Sequence, residues 1–156
     1  SKHYKTGEPL SDELINKMVA AKHYATGSFY LRQNFLAQID MRYHLTKKKI
    51  DSTDYWSKYS KKIRGVPLRK GAYPQASFDH IMGGYDAGYY GYLWAEVIAQ
   101  DFFSEFEKHG IFNKDIGKKY RKEILAVGGS YEEEELVKNF LNRNVSNEPF
   151  LKGIGF

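Results

Sequence analysis

The chain has 156 residues, of which 42% are hydrophobic and 16% aromatic, and this composition excludes a disordered chain. Its length predicts a single domain, residues 1–156. No apolar run approaches the roughly 20 residues of a membrane span, which argues against a membrane protein. The lack of cysteine excludes disulfides and thiolate metal sites, and it fits a reducing, cytoplasmic location.

The formal net charge is +5, from 24 basic and 19 acidic residues. An excess of this size favours either simple solubility or an anionic partner, and we favour solubility because both signs are present throughout. The first residues, Ser1 to Gly7, lack the apolar segment of a signal peptide. They also lack an initiating methionine, so we expect a chain that was processed or cut from a longer protein.

Hydrophobic residues recur at helical spacing through the first half of the chain. The spacing predicts a helix capped by Ser11 and stopped by Gly27, a helix from Phe29 to Leu45, and a helix capped by Ser52 or Thr53. The connection from Gly65 to Ala76 contains two prolines and is expected to be irregular. A connection of this length is often functional.

The second half also follows a helical pattern, with no alternating strand pattern of useful length. The predicted segments are a helix from Asp86 to Glu107, one from Lys114 to Val127, and one that opens with a capping box at Ser130–Glu133 and ends near Asn142. Leu93, Val97 and Phe103 are expected to face the core. The tail from Asn144 to Phe156 is expected to be irregular but docked. The predicted fold is therefore all-α, an irregular domain of about six helices.

The histidines and serines of the chain match no complete hydrolase motif. Two histidines four residues apart on a helix, with a glutamate between them, supply two zinc ligands and a base. No two of the five histidines here have that spacing. There is also no Gly-x-Ser-x-Gly elbow and no phosphate-binding glycine loop. We therefore predict neither a complete zinc site nor a serine nucleophile within this chain.

One stretch, His80 to Trp94, combines four glycines, four tyrosines, a histidine and a tryptophan in fifteen positions. If a helix begins near Tyr85, then Tyr85, Tyr89 and Tyr92 share one face of it. Phenol and imidazole groups can donate hydrogen bonds to a developing oxyanion. Two interpretations remain open, a donor cluster at an acyl-transfer site or core tyrosines with satisfied hydroxyls, and the spacing alone favours the core.

Clusters of lysine offer a different interpretation of the chain as a binding module. They occur at Lys47–Lys49, Lys61–Lys62 and Lys118–Lys119. A basic surface with nearby aromatic residues can bind nucleic acid, but no base-reading motif accompanies it here. We favour solvated helix ends, and a non-catalytic module that binds nucleic acid or protein stays as the alternative to an enzyme.

Several short stretches, in order along nearly the whole chain, match one known family. They are His3-Tyr4, Thr6–Leu10, Arg32-Gln33, Phe78–His80, Gly83–Trp94, Tyr120-Arg121, Ile124-Leu125, Gly128–Ser130 and Phe140-Leu141. The stretch Gly83–Trp94 is the most specific of them. With these stretches the chain resembles the C-terminal part of the zinc metallopeptidases that include thimet oligopeptidase, neurolysin and bacterial peptidyl-dipeptidases.

The resemblance implies a mostly helical enzyme that binds one zinc ion and hydrolyses short peptides, either as an oligoendopeptidase or as a peptidyl-dipeptidase. The zinc motif and the glutamate ligand of that family lie upstream of the matched region. We therefore expect a fragment that is inactive alone, holds no catalytic zinc, and has the upstream part of the same catalytic domain as its partner. Nucleic acid and membranes are not expected partners, whereas surfaces buried in the parent protein can drive self-association. A peptide-binding pseudoenzyme is the alternative.

The resemblance also implies roles for individual residues. Catalytic roles fall on His80, Tyr85 and Tyr92, and substrate-binding roles fall on Gly83, Gly84 and Tyr89. Tyr92 is the first choice for donating to the oxyanion and Tyr85 the second, while His80 orients the substrate and stabilises the transition state. The two glycines are expected to form a flexible loop that closes on the peptide. No metal ligand is assigned to this chain.

Overall fold

The computed structural model describes residues 2–156, and helices make up most of its secondary structure. They are, in chain order, α1 (Asp12–Ala21), α2 (Thr26–Leu45), α3 (Ser52–Arg64), α4 (Gly91–His109), α5 (Lys114–Tyr120), α6 (Glu133–Leu141) and α7 (Glu148–Gly153). A π-helical stretch, Arg121–Leu125, continues α5, and two 3-10 turns, Pro74–Ser77 and Asp79–Ile81, precede α4. Within the described range, β structure is limited to one isolated bridge between Lys2 and Pro9. The predicted all-α class is confirmed.

The boundary between the first two helices differs from the prediction. Ser11 caps α1 as expected, since its hydroxyl accepts a hydrogen bond from the amide of Leu14 at 3.3 Å. The predicted stop at Gly27 is wrong, because α1 ends at Ala21 and Gly27 lies inside the first turn of α2. The left-handed residue that separates the two helices is Ala25, with φ 58°. A short polar turn, not the glycine, therefore sets the boundary.

One core cluster joins α2 and α3 to the segment that precedes α4. Its buried members are Phe35, Leu36, Ala37, Ile39, Trp56, Phe78 and Tyr89. The rings of Phe35 and Trp56 meet edge to face, with centroids 5.0 Å apart. Aromatic packing in this cluster thus connects the first helical pair to Phe78 and Tyr89.

The cap of α3 is Asp51, one residue before the predicted Ser52, and its carboxylate accepts from the amides of Thr53 and Asp54.

A second core cluster lies between α4, α5 with its π-helical extension, and α6. Val137, Phe140 and Leu141 of α6 are its buried members, and side chains of the other helices pack on them. Phe103 was expected in this core, but it is 43% exposed. Phe102 and Phe106 are four residues apart and occupy the inner face of α4, so Phe103, one position further, lies about 100° around the helix. That the two clusters form a single domain stays a prediction.

The last predicted helix starts later than its sequence signal. The expected capping box at Ser130 is wrong, because α6 begins at Glu133 with Glu132 as an N-cap that makes no side-chain capping bond. Ser130 instead donates its amide to the carbonyl of Val127 in the preceding turn, at 3.1 Å. The predicted end near Asn142 is confirmed by a left-handed conformation there, with φ 55°.

The C-terminal tail is more ordered than the sequence predicted. Residues 148–153 form α7, which begins with Pro149 in its first turn and packs against α4. Docking is confirmed for Phe150, whose ring meets that of Tyr30 edge to face at 5.2 Å. The predicted docking is wrong for Phe156, whose side chain is 90% exposed.

Apolar side chains remain uncovered on α1. The helix has no buried residue, and its apolar positions are 41 to 60% exposed: Leu14, Ile15, Met18 and Val19. Among residues 2–156, no helix combines the length and the apolar character needed to cross a membrane.

Candidate active site

The segment before α4 forms successive turns rather than the helix that the sequence predicted. The helix begins at Gly91, not near Tyr85 or Asp86. Residues Tyr85–Tyr92, here called the tyrosine turn, are linked by hydrogen bonds between residues three positions apart. In one of them, the amide of Gly88 donates to the carbonyl of Tyr85 at 3.1 Å. Ala87 adopts a left-handed conformation with φ 57°. A left-handed non-glycine residue costs roughly 1–2 kcal/mol, and it breaks a right-handed helix at this point.

The tyrosines nevertheless converge around the imidazole of His80. Ring centroids lie 5.0 to 6.0 Å from that of His80 for three residues, Tyr85, Tyr89 and Tyr92. The rings of Tyr85 and Tyr92 are also 5.1 Å apart. The hydroxyl of Tyr92 lies 3.3 Å from Nε2 of His80, within hydrogen-bonding distance. The residues that sequence reasoning selected therefore form one cluster, but turns rather than a helical face bring them together.

Exposure separates the three tyrosines. Tyr85 is 40% exposed and Tyr92 is 48% exposed, whereas Tyr89 is only 7% exposed. The hydroxyl of Tyr89 donates to Oε1 of Gln33 at 3.0 Å. Burial is the main cause that raises the pKa of Tyr89, and nearby Arg32 offsets part of the effect. Tyr89 therefore stays a neutral phenol that forms a wall, while Tyr85 and Tyr92 offer accessible hydroxyls.

A cavity of about 270 Å³ lies beside this cluster. It is lined by Phe29, Gln33, His80, Tyr89, Tyr92, Leu93 and Glu96. Glu96 accepts a 2.6 Å hydrogen bond from the hydroxyl of Tyr30. Burial, together with this bond and the charge of Glu96, raises the pKa of Tyr30 to about 12, so Tyr30 is a fixed donor to Glu96. The cavity thus combines aromatic walls with an imidazole, two phenols, an amide and a carboxylate.

A second, larger cavity of about 460 Å³ lies between α4, α5 and α6. Its lining is apolar apart from the carboxylate of Glu133 and the phenol of Tyr120. It contains no histidine, and neither Tyr85 nor Tyr92 contributes to it. This cavity is larger than the one beside His80, but the chemistry favours the smaller one, because a reacting site needs positioned polar groups.

Backbone geometry explains the two glycines that precede the tyrosine turn. Gly84 has φ +83°, a conformation that side-chain-bearing residues rarely adopt. A Cβ atom on Gly83 would lie 3.0 Å from the carbonyl oxygen of Asp79, which is too close for an ordinary contact. Both residues are exposed beside the cluster. Glycine at both positions therefore lets the chain enter the turn without side-chain strain at Gly84 or a close contact at Gly83.

A buried carboxylate, which the sequence analysis missed, holds the backbone of the tyrosine turn. Asp40 of α2 is 0% exposed. Its Oδ1 accepts from the amide of Ala87 and its Oδ2 from the amide of Tyr89, both at 3.0 Å. The sequence does contain a signal for this buried acid, because Asp40 follows Leu36 by four residues and so falls on the apolar face of α2. An acid at such a position needs buried partners.

The described residues do not fit a complete metal centre. Within residues 2–156, no three acidic or histidine side chains are grouped closely enough to hold a metal ion. The imidazole of His80 has one acid beside it, with its Nδ1 3.1 Å from Oδ1 of Asp79. The site in this part of the chain is a cluster of phenol and imidazole groups beside a pocket.

These features define a class, an all-helical domain that presents phenol and imidazole donors beside an aromatic pocket. The model of peptidase family M3 matches residues 1–156, so the chain belongs to peptidase family M3. The resemblance inferred from the short sequence stretches is confirmed by this match.

Curated relatives agree with the family match. The chain is 42% identical to oligopeptidase A of Escherichia coli K12, over 99% of this chain and 23% of that protein. It is 40% identical to saccharolysin of Saccharomyces cerevisiae, over 99% of this chain and 21% of that protein. It is 39% identical to a thimet-like oligopeptidase of Dictyostelium discoideum, over 99% of this chain and 24% of that protein. The chain thus spans about a quarter of the length of these relatives.

Proposed function

We propose that this chain is the C-terminal portion of a zinc-dependent oligopeptidase and forms the substrate-facing side of its active site. The observation that carries the proposal is the convergence of His80, Tyr85 and Tyr92 beside the 270 Å³ cavity, which His80 and Tyr92 line. Family membership and the names of the relatives support peptide bonds as the target. Short peptides are the proposed substrates, and the cytoplasm is the proposed location.

Zinc is proposed for the intact protein, with its ligands outside this chain. The described residues lack a metal-binding group, so no step of the reaction is assigned here to a metal. The upstream part of the same catalytic domain is the proposed partner. The uncovered apolar side chains of α1 support such a partner, because monomeric proteins rarely expose contiguous apolar patches.

Tyr92 is the proposed donor to the oxygen that becomes negative when the scissile carbonyl is attacked. Its hydroxyl is accessible, and Nε2 of His80 lies 3.3 Å away. When both ring nitrogens of His80 carry a proton, Nδ1 faces the carboxylate of Asp79 and Nε2 donates to the phenol oxygen, so the phenol hydrogen is free to point at the substrate. A donor placed in this way stabilises the transition state more than the ground state, which accelerates the reaction.

The other residues of the cluster have supporting roles in this proposal. Tyr85 is the second donor, because its ring lies 5.1 Å from that of Tyr92 and its exposed fraction, 40%, is close to the 48% of Tyr92. Tyr89 forms the wall that contacts the substrate. Gly83 and Gly84 provide the backbone that closes over the bound peptide, since residues without side chains allow close approach.

The test is Tyr92→Phe in the intact protein, assayed on a short peptide. We expect kcat to fall about 100-fold or more, the usual cost of removing one oxyanion donor, while KM changes little. Tyr90→Phe is the matched control, because Tyr90 lies in the same turn and is 55% exposed, but does not line the cavity. An unchanged kcat in Tyr92→Phe, or an equal loss in Tyr90→Phe, would reject the assigned role.

A second measurement tests the fragment proposal itself. The isolated chain of 156 residues, purified in the presence of zinc, is expected to cleave no peptide and to retain no stoichiometric metal. Peptidase activity together with one bound zinc per chain would contradict the proposal that the ligands lie upstream.

A further inference from the structure

We propose that Asp40 is a positioning residue that sets the geometry of the tyrosine turn, an inference that rests on the function proposed for that turn. Asp40 does not line the cavity, and its hydrogen bonds to the tyrosine turn involve backbone amides rather than a side chain assigned to the substrate. It acts through the backbone, because its two oxygens accept from the amides of Ala87 and Tyr89, each at 3.0 Å. These two amides flank Gly88, midway between Tyr85 and Tyr92.

The turn needs such an anchor because one of its residues, Ala87, adopts a conformation that its side chain does not favour. Ala87 stays left-handed, with φ 57°, although an alanine has no intrinsic preference for that conformation. A conformation of this kind persists only where surrounding contacts determine it. The bond from the amide of Ala87 to Oδ1 of Asp40 is such a contact. Without it, Ala87 can return to a right-handed conformation, and the tyrosines on either side would shift.

Asp40 is itself firmly placed on α2. Its neighbours Phe35 and Ile39 are fully buried. Nδ1 of His44, one helical turn later, lies 3.0 Å from Oδ1 of Asp40 and 2.9 Å from its backbone carbonyl. Gln33, two turns earlier on the same helix, accepts from the hydroxyl of Tyr89. One rigid helix therefore holds the turn at its backbone and at the hydroxyl of Tyr89.

The experiment compares two isosteric substitutions in the intact protein, Asp40→Asn and Asp101→Asn. An asparagine at position 40 keeps the volume but offers one acceptor oxygen, so either Ala87 or Tyr89 loses its partner. Asp101 is the matched control, because it is also 0% exposed and fully hydrogen-bonded, but its partners are Arg143 and Ser146. Steady-state kinetics on a peptide and the melting temperature are measured for both variants.

We expect Asp40→Asn to lower kcat by about 10- to 100-fold with a smaller change in KM, since small misplacements of catalytic groups have effects of this size. Asp101→Asn is expected to lower the melting temperature and leave kcat unchanged when assayed well below it. An unchanged kcat in Asp40→Asn would overturn the proposal, as would an equal kcat loss in both variants. If Asp40→Asn does not fold, Asp40→Glu displaces both oxygens by one methylene, and the same kcat criterion applies.

Amide hydrogen exchange of the tyrosine turn separates this inference from the proposed function. We expect Asp40→Asn to speed exchange at Ala87 and Tyr89 while α5 and α6 keep their protection. If the wild-type protein cleaves no peptide, the proposed function fails, and faster exchange still supports the anchor. Unchanged exchange in the tyrosine turn would overturn the anchor whatever the activity is.

Discussion

Two fully buried aspartates hold the two halves of this molecule, and they do so with different partners. Asp101 on α4 takes a two-pronged contact from the guanidinium of Arg143, at 2.6 and 2.7 Å, and a third bond from the amide of Ser146. Asp40 on α2 receives two backbone amides of the tyrosine turn, with the imidazole of His44 beside it. The first arrangement joins two charges, whereas the second holds a backbone conformation.

The contact at Asp101 mainly affects stability, whereas the contact at Asp40 mainly fixes a backbone path. A buried carboxylate paired with a cation affects stability strongly when the pair is broken, because the remaining charge has no partner. A carboxylate that receives backbone amides fixes where the chain runs, much as a helix cap does. The contact at Asp101 thus fastens the C-terminal segment to α4, and the contact at Asp40 shapes a turn that carries the candidate donors.

The largest effect on stability is expected from Arg143→Met, which leaves Asp101 buried without its cation. We expect the free energy of unfolding to fall by about 3 kcal/mol, the lower end for a broken buried pair, since the side chain of Arg143 is 36% exposed. Urea denaturation of the intact protein measures this change. Lys138→Met is the control, because its contact with Glu134 at 3.9 Å is exposed and such pairs contribute at most about 1 kcal/mol. Equal losses in both variants would contradict the distinction.

Acid provides an independent test of the same pair. Burial by itself raises the pKa of Asp101, but the hydrogen bonds from Arg143 and Ser146 outweigh it, so that the pKa lies below its usual range. The unfolded chain therefore binds a proton at a higher pH than the folded chain does. The stabilisation is present above about pH 4 and is lost as the pH falls through the folded-state value. Urea denaturation at a series of pH values measures this effect. The free energy of unfolding should fall less steeply with decreasing pH in Asp101→Asn than in the wild type.

The smallest effect is expected at Gly91, where α4 begins. A Cβ atom there would lie 3.3 Å from the hydroxyl oxygen of Tyr85, a tight contact that the phenol can relieve by a shift of a few tenths of an ångström. Gly91→Ala should therefore lower kcat by only a few-fold, since a small displacement of a second donor is involved. Alanine also favours the helix by up to about 1 kcal/mol, so we expect no loss of melting temperature. A large loss of stability would show that the turn tolerates less movement than this.

Much of the helical framework was accessible from the sequence because it depends on local spacing. The helices α2 and α6 were both predicted from apolar residues at helical spacing, and the structure contains both. The start of α4 was not accessible, because Ala87 adopts a conformation that its side chain does not favour. The partner that holds it, Asp40, lies 47 residues earlier, and no local pattern reports such a pairing.

The candidate site, too, was accessible from the sequence only in part. The resemblance selected His80, Tyr85 and Tyr92, and the structure brings them together; the roles assigned to them remain predictions. The different exposure of Tyr89 could not be read from spacing, since a helical face would have treated the three tyrosines alike. It follows from the turn, which directs Tyr89 into the first core cluster beside Phe78.

The long separation between Asp40 and the amides that it receives also bears on how the protein folds. Contacts between α2 and α3 are close in sequence, whereas Asp40 meets Ala87 and Tyr89 across 47 and 49 residues. Closing a long loop costs chain entropy that only later contacts repay, so such pairings tend to form late. We therefore expect the helical pair to assemble first during refolding, and the tyrosines to reach their final places in a slower step. Activity would then recover after most of the helical signal has returned.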